Sequence, residues 1–281
     1  MPKEMAVGDV ATSAGLRMVV RVFDTGTLTA NATFLRGEGF ASLLRRAEPV
    51  EFPALAYVLE RPDGLIVVDT GLGSHVTAPR RLRGFPPAPT PGRELGEQMR
   101  EHGLDPADVD TVILTHLDWD HTGGLHHFPR ARVLVHRPEH DFARTRMGRM
   151  RYRPELWPRD FAPSLYDLAP EPFGPFPETF GPAPGLRVVP VPGHSPGQVA
   201  VACDAGEVVL LFAADHMLRA DWFAEDLEAG RDVMLGAFGK RAARATTRRL
   251  AELVRSRPTV LLPAHDADAP RRLEALRTRS W

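Results

Sequence analysis

The chain has 281 residues, 43% of them hydrophobic, and a formal net charge of −1. That length fills one large domain or two small ones, with a core big enough to fix a precise site. The near-neutral balance supplies no bulk attraction to nucleic acid or to an acidic membrane surface. No apolar run of 18 residues occurs, so a soluble cytoplasmic protein that handles a small molecule is expected. The one cysteine, Cys203, excludes an intramolecular disulfide and a cysteine-rich zinc site. It reads as a small buried core residue, and any metal must use nitrogen and oxygen ligands.

In chain order, residues 1–15 read as a loose leader and Leu16 to Phe23 as a strand. Residues 24–53 read as irregular or partly helical. Two apolar runs, Ala54–Glu60 and Leu65–Asp69, flank Arg61-Pro62-Asp63-Gly64, an Asp-Gly hairpin signal. Thr70-Gly71-Leu72-Gly73 forms a tight glycine loop, and 84–92 a surface loop. Glu94 to His102 suits a short helix. Asp105-Pro106 caps a brief one that leads into a strand over 111–115. Arg132–His136 reads as a strand and Pro138 begins a helix. The stretch 144–185 is rich in proline, arginine and aromatics, too proline-rich for regular sheet or a long helix, and reads as a loop-rich cap insertion. Strands return at Leu186–Val191, Gln198–Cys203 and Val208–Phe212. An amphipathic helix over 239–256, a strand over 259–262 and a closing helix from Asp268 to Thr278 complete the chain. One domain over 1–281 is expected.

Four apolar runs end in metal-capable residues. Val112-Ile113-Leu114-Thr115 runs into His116-Leu117-Asp118-Trp119-Asp120-His121. The run from Val188 ends at His194, the run from Val208 at Asp215-His216, and the run from Val260 at His265-Asp266. Burying imidazoles and carboxylates without compensation costs several kcal/mol, and a bound cation compensates. Four such coincidences predict strand ends converging on one edge, where ligands collect in α/β architectures.

With these residues in view, the chain resembles the metallo-β-lactamase superfamily. The family motif His-x-His-x-Asp-His is followed by a later His, a bridging Asp and a last His, here His116, Asp118, Asp120, His121, His194, Asp215 and His265. Asp69-Thr70-Gly71 matches the family's early loop, and Gly123-Gly124 its glycines after the motif. The resemblance spans about residues 54–270. It implies an α/β fold, a four-layered αβ/βα sandwich of two mixed sheets flanked by helices. It also implies two divalent ions, zinc first, with iron or manganese as alternatives. One would be held by His116, Asp118 and His194 and the other by Asp120, His121 and His265, with Asp215 between them. Two such ions lower the pKa of bound water toward about 7, giving a hydroxide that attacks an ester, lactone or related carbonyl. Asp120 is the candidate catalytic residue, orienting the nucleophile or carrying a proton.

One departure is Asp118, where the family usually has histidine. A carboxylate is a harder ligand, resembles the flavodiiron branch, and carries the alternative reading of a di-iron redox protein acting on oxygen or peroxide. Asp is shorter than Glu, so Asp118 either reaches the metal or stops behind it. The turn His194-Ser195-Pro196-Gly197-Gln198 and the Ala264-His265-Asp266 segment are similar to the lactonase-like group, which includes acyl-homoserine lactonases. Those enzymes often carry Tyr three residues after the bridging Asp, where this chain has Leu218.

Asp69 is expected to orient a metal-bound histidine. His216 reads as structural, Asp266 as a helix cap or a support for His265, and Ser195 as a turn residue. Trp119 either lines the pocket or packs beneath the metals. His126, His127, His136 and His140 read as surface or helix-end residues. The arginines between 144 and 153 read as a solvated helix face, with contact to an anionic substrate as the alternative. Arg80, Arg81 and Arg83 raise the same question. A homodimer is compatible with the sequence.

Overall fold

The computed structural model describes residues 7–31, 49–76, 87–89, 93–229 and 238–277. Arg80, Arg81 and Arg83 lie outside them. Alternating apolar residues build the first sheet. Its strands are β1 (Val7–Ala11), β2 (Arg17–Asn31), β3 (Pro49–Arg61), β4 (Gly64–Val68), β5 (Pro87–Pro89), β6 (Val109–Ile113), β7 (Arg132–His136) and β8 (Ser164–Tyr166). The spatial order is β1-β2-β3-β4-β6-β7-β8, with β5 on β2. The β1–β4 part is antiparallel, and β4, β6, β7 and β8 run parallel. A second sheet has the order β12-β11-β10-β9, from β9 (Leu186–Pro190), β10 (Val199–Ala205), β11 (Val208–Ala214) and β12 (Thr259–Pro263). Both sheets mix parallel and antiparallel pairs, as expected.

Strand periodicity assigns each residue to a layer. Val20, Val22, Tyr57, Leu59, Ile66 and Val68 meet Val188, Val201, Leu210 and Phe212 between the sheets. Cys203 lies in this core, and burial pushes its thiol up to about 12, so it is inert at neutral pH. The alternate residues Val58, Val67 and Val112 face outward against Leu95 and Met99 of helix α1 (Leu95–Glu101). On the far side, Val189, Ala200, Val209 and Leu211 pack against Phe223, Leu250 and Leu253. The resulting layers are helix, sheet, sheet and helix. No helix among the described residues is long and apolar enough to cross a membrane.

Several expectations are corrected. The leader contains β1, which pairs with β2 over Val7–Ala11. The stretch 24–53 is strand at both described ends, not irregular, while 32–48 lies outside the described residues. Gly26 and Pro53 weaken the strand signal, and the pairing register shifts between Asp24 and Thr27 to accommodate them. Residues 87–89 of the expected surface loop pair with β2. Chain order then adds the short helices α2 (Trp119–Thr122), α3 (Arg137–Ala143) and α4 (Arg146–Tyr152). The remaining helices are α5 (Ala220–Glu228), absent from the sequence reading, α6 (Lys240–Ser256) and α7 (Ala269–Arg277).

Candidate metal centre

Strands β6, β9, β11 and β12 deliver the four expected segments to one edge of the molecule. There the two sheets are stitched together. Val199 N donates to Thr115 O at 3.0 Å, Leu55 N to Ala264 O at 2.8 Å, and the Tyr57 hydroxyl to Pro263 O at 2.8 Å. All seven sequence-predicted residues meet at this edge, in two groups: Asp120, His121, Asp215 and His265, and His116, Asp118 and His194.

Asp215 lies between the groups. Its Oδ1 is 3.1 Å from His121 Nε2 and 3.2 Å from His265 Nε2. Its Oδ2 is 3.5 Å from His194 Nε2 and 3.8 Å from His116 Nε2. Asp120 Oδ2 is 3.5 Å from His265 Nε2. Burial pushes the Asp215 carboxyl upward, but His265 and His121 hold it well below the usual carboxylate range.

Neighbouring groups fix the His121 and His265 imidazoles. His121 Nδ1 lies 2.8 Å from Asp69 Oδ2, and Asp69 also accepts from Thr115 N and Oγ1 at 2.8 and 2.7 Å. His265 Nδ1 donates to Pro53 O at 2.8 Å. These contacts turn Nε2 of both rings inward, the arrangement that metal-binding histidines adopt. Two supports are conformationally costly. Asp69 has φ 57° and Ala214, just before Asp215, has φ 50°, each worth about 1–3 kcal/mol of strain. Gly123 lets the turn after His121 lie on the Asp69 loop, because a Cβ there would sit 2.2 Å from Gly73 N.

Asp118 reaches the site. Its Oδ2 lies 3.2 Å from His116 Nε2 and 3.0 Å from His194 Nε2, the spacing of the other group. Behind it stands Arg151 of α4. Arg151 Nε donates to Oδ1 at 2.9 Å and Nη2 to Oδ2 at 2.5 Å, while Nη1 donates to His194 O at 2.7 Å. Burial opposes ionisation of Asp118, but Arg151, His116 and His194 hold its carboxyl well below the usual range. Arg151 is therefore not part of a solvated helix face. The fork-shaped pair gives a net charge of zero at this position, the charge of the imidazole it replaces.

Glu139 was not singled out by the sequence. It is buried in α3 and accepts from Leu117 N at 3.2 Å, Ser195 Oγ at 2.8 Å, Gly197 N at 3.0 Å and the Tyr152 hydroxyl. It thus joins the His116 segment, the His194 turn and the helix that carries Arg151. An Asp/Glu a few residues past a strand was the only signal available. Ser195 serves the turn, as expected. His216 Nε2 meets Thr247 Oγ1 at 3.0 Å, and burial with His194 nearby lowers its pKa to about 3, a neutral structural histidine. Asp266 accepts from Ala220 N and Asp268 N and pairs with Arg272. His136 precedes α3 and its Nδ1 meets Gly197 O at 2.8 Å. Trp119 packs with Phe52, Leu72 and Leu218 in an apolar cluster. Phe52 in turn lies 5.9 Å from the His265 ring, so this cluster adjoins the site.

The donor set fits cations. His116 Nε2, His121 Nε2 and Asp215 Oδ1 are buried and lack hydrogen-bond partners among the described residues. Native interiors rarely leave such atoms unsatisfied, and all three face one another. Imidazole nitrogen and carboxylate oxygen are donors for zinc, iron or manganese.

Comparison with known proteins agrees with this geometry. The metallo-β-lactamase superfamily model matches residues 49–265. A probable metallo-hydrolase of Mycobacterium tuberculosis (strain H37Rv) is 32% identical over 230 residues, covering 75% of this chain and 74% of the relative. An N-acyl homoserine lactonase of Bacillus cereus is 24% identical over 236 residues, covering 81% and 86% of the two chains. The fold is that of a solved N-acyl homoserine lactone hydrolase, which holds the product N-hexanoyl-L-homoserine at its catalytic metal centre. The TM-score is 0.74 at 19% identity, covering 95% of this chain and 96% of the other. These similarities lie with hydrolases and do not favour the di-iron redox alternative. The chain is a metal-dependent hydrolase that belongs to the metallo-β-lactamase superfamily.

Proposed function

We propose that this chain hydrolyses a carboxylic ester, with a lactone as the first substrate class to test, at a centre of two divalent cations. The observation that carries the reading is the split of Asp215, one oxygen toward His121 and His265 and the other toward His116 and His194. His116, Asp118 and His194 would hold one ion, Asp120, His121 and His265 the other, and Asp215 both. When bound, such a pair lowers the pKa of water toward about 7 and polarises a carbonyl oxygen.

The chain's own residues do the rest. Asp120 offers a carboxylate beside the reaction centre and would accept a proton from the attacking water and return it to the leaving alcohol. Asp69 and the Pro53 carbonyl keep His121 and His265 in one tautomer. Phe52, Trp119 and Leu218 form an apolar wall that suits a hydrocarbon substituent on the substrate. Leu218 has no hydroxyl to orient a carbonyl, so an ester or thioester with a less demanding geometry fits as well as a lactone. The resemblance to lactonases supports testing lactones first. The 144–185 segment would act as a cap, since its helix α4 sends Arg151 into the site.

Zinc is the preferred ion in this reading. The Arg151 charge offsets that of Asp118, so the site gains none of the net negative charge that would favour harder ions. Elemental analysis with a panel of lactones, esters and thioesters tests the proposal. Two equivalents of metal that depend on the ligands of this centre, and chelator-sensitive hydrolysis, are expected. Turnover retained by His194→Ala would contradict the assignment.

A further inference from the structure

The described residues contain a third group of metal-capable side chains that shares no member with the centre above: Glu94, His126 and His127. By sequence alone both histidines read as surface or helix-end residues. Glu94 Oε2 lies 2.7 Å from His127 Nε2 and 2.9 Å from His126 Nε2. The two rings are close to face to face, with centroids 4.1 Å apart and planes tilted by 37°, so both present Nε2 to the same oxygen. The His75 ring stands 5.5 Å from that of His126.

This cluster is built, not incidental. Glu94 is buried, and its other oxygen, Oε1, accepts from Ser74 N at 2.7 Å. Gly96 lets the first turn of α1 lie against His127, since a Cβ there would meet the ring at 2.4 Å. Burial and the neighbouring His126 keep the His127 imidazole below its ordinary pKa and hence neutral. Burial resists the Glu94 charge, but hydrogen bonds from Ser74 and His127 keep its carboxyl ionised. Neutral imidazole and ionised carboxylate are the forms that ligate metal. His126 is partly exposed, which leaves an open side for water or for His75.

We infer that Glu94, His126 and His127 form a separate binding site for one divalent transition-metal ion. Two nitrogens and one oxygen select zinc, nickel or copper over calcium or magnesium. The ion would fasten the start of α1, to which Ser74 N ties the loop 70–76 through Glu94, onto the turn 123–128. That loop and that turn are already joined by Gly123 N to Gly71 O at 2.9 Å and Gly124 N to Thr70 Oγ1 at 3.1 Å. The loop follows Asp69 and the turn follows His121, so the ion acts as a clamp on the frame of the hydrolytic centre without entering it.

The test compares full-length wild type with H126Q/H127Q. Both are stripped with chelator, reloaded with excess Zn²⁺, exchanged into metal-free buffer and analysed by native mass spectrometry and elemental analysis. The wild type should retain one equivalent more than the variant. Its thermal unfolding temperature should also rise at an added Zn²⁺ step that the variant lacks. The difference of one equivalent stands whether or not the principal centre holds two ions, so the two readings fail separately. H126Q alone, at a partly exposed ring, should weaken the extra equivalent at least tenfold and keeps the test intact if the double variant does not fold. Equal zinc content in wild type and H126Q would overturn the site.

Discussion

The two halves of the proposed hydrolytic centre are held by different means. Asp120, His121 and His265 sit on the edges of the two sheets, all buried, with Asp69 and a Pro53 carbonyl behind them. His116, Asp118 and His194 are braced from outside the sheets, by Arg151 of α4 and by Glu139 of α3. The first half is a product of strand topology. The second depends on a proline-rich segment staying docked. The more exposed and separately braced half is expected to lose its ion first, and its supports are the places where small changes should separate the two.

The largest effect should come from Asp215, which belongs to both halves. D215A is expected to lower turnover by at least a thousandfold and to reduce metal content at both positions, measured by elemental analysis and steady-state rates. Loss of one ion only would break the symmetry assigned to this carboxylate.

Arg151 should act on one half alone. R151M leaves a buried carboxylate uncompensated, a change that costs about 3–5 kcal/mol in comparable pairs. It is expected to weaken one metal equivalent by about 10–100-fold and to leave the other unchanged, by metal titration. The double variant D118H/R151M restores a neutral ligand and should recover the lost equivalent. Failure of that rescue would show that Arg151 works through the His194 turn rather than through charge.

These expectations also show what the sequence makes legible. The run Val112–Thr115 ending in His116 is readable because a buried strand has no other reason to terminate in imidazoles and acids. The same holds for the runs leading to His194, Asp215 and His265. Arg151 is not readable, because its partner is 33 positions away and nothing local distinguishes it from Arg146 or Arg149. Glu139 is hidden for the same reason: its partners come from three segments that meet only after folding. His126 and His127 look like surface residues until α1 brings Glu94 against them. The strand content near Gly26 and Pro53 is obscured by residues that only a bulge tolerates. Local periodicity carries the scaffold, whereas the braces are tertiary.

Glu139→Gln should be milder than the Arg151 change. The amide keeps the shape but offers one acceptor oxygen where the carboxylate offers two, so either Gly197 N and Ser195 Oγ, or Leu117 N and the Tyr152 hydroxyl, lose their acceptor. About 1–3 kcal/mol of stability should be lost, read by denaturant unfolding. The His194 half should loosen more than the His121 half.

The smallest effect concerns pH. In chelated protein, burial disfavours charge on His121 and His265, yet Asp215 and the neighbouring carboxylates raise both pKa values. The folded state then holds more protons than the unfolded chain. This stabilisation is complete below about 6.5, the ordinary histidine value, and is lost as pH rises through the raised values. The unfolding temperature of chelated protein should fall as pH rises above about 6.5. Metal-loaded protein should move the other way, because cations displace those protons.

The central claim, that one carboxylate is shared by two cation positions, is tested most directly by anomalous diffraction from zinc-loaded crystals. The account predicts two peaks at this centre, one beside each oxygen of Asp215, the first near His116, Asp118 and His194 and the second near Asp120, His121 and His265. A single peak, or two that leave Asp215 out, would contradict it.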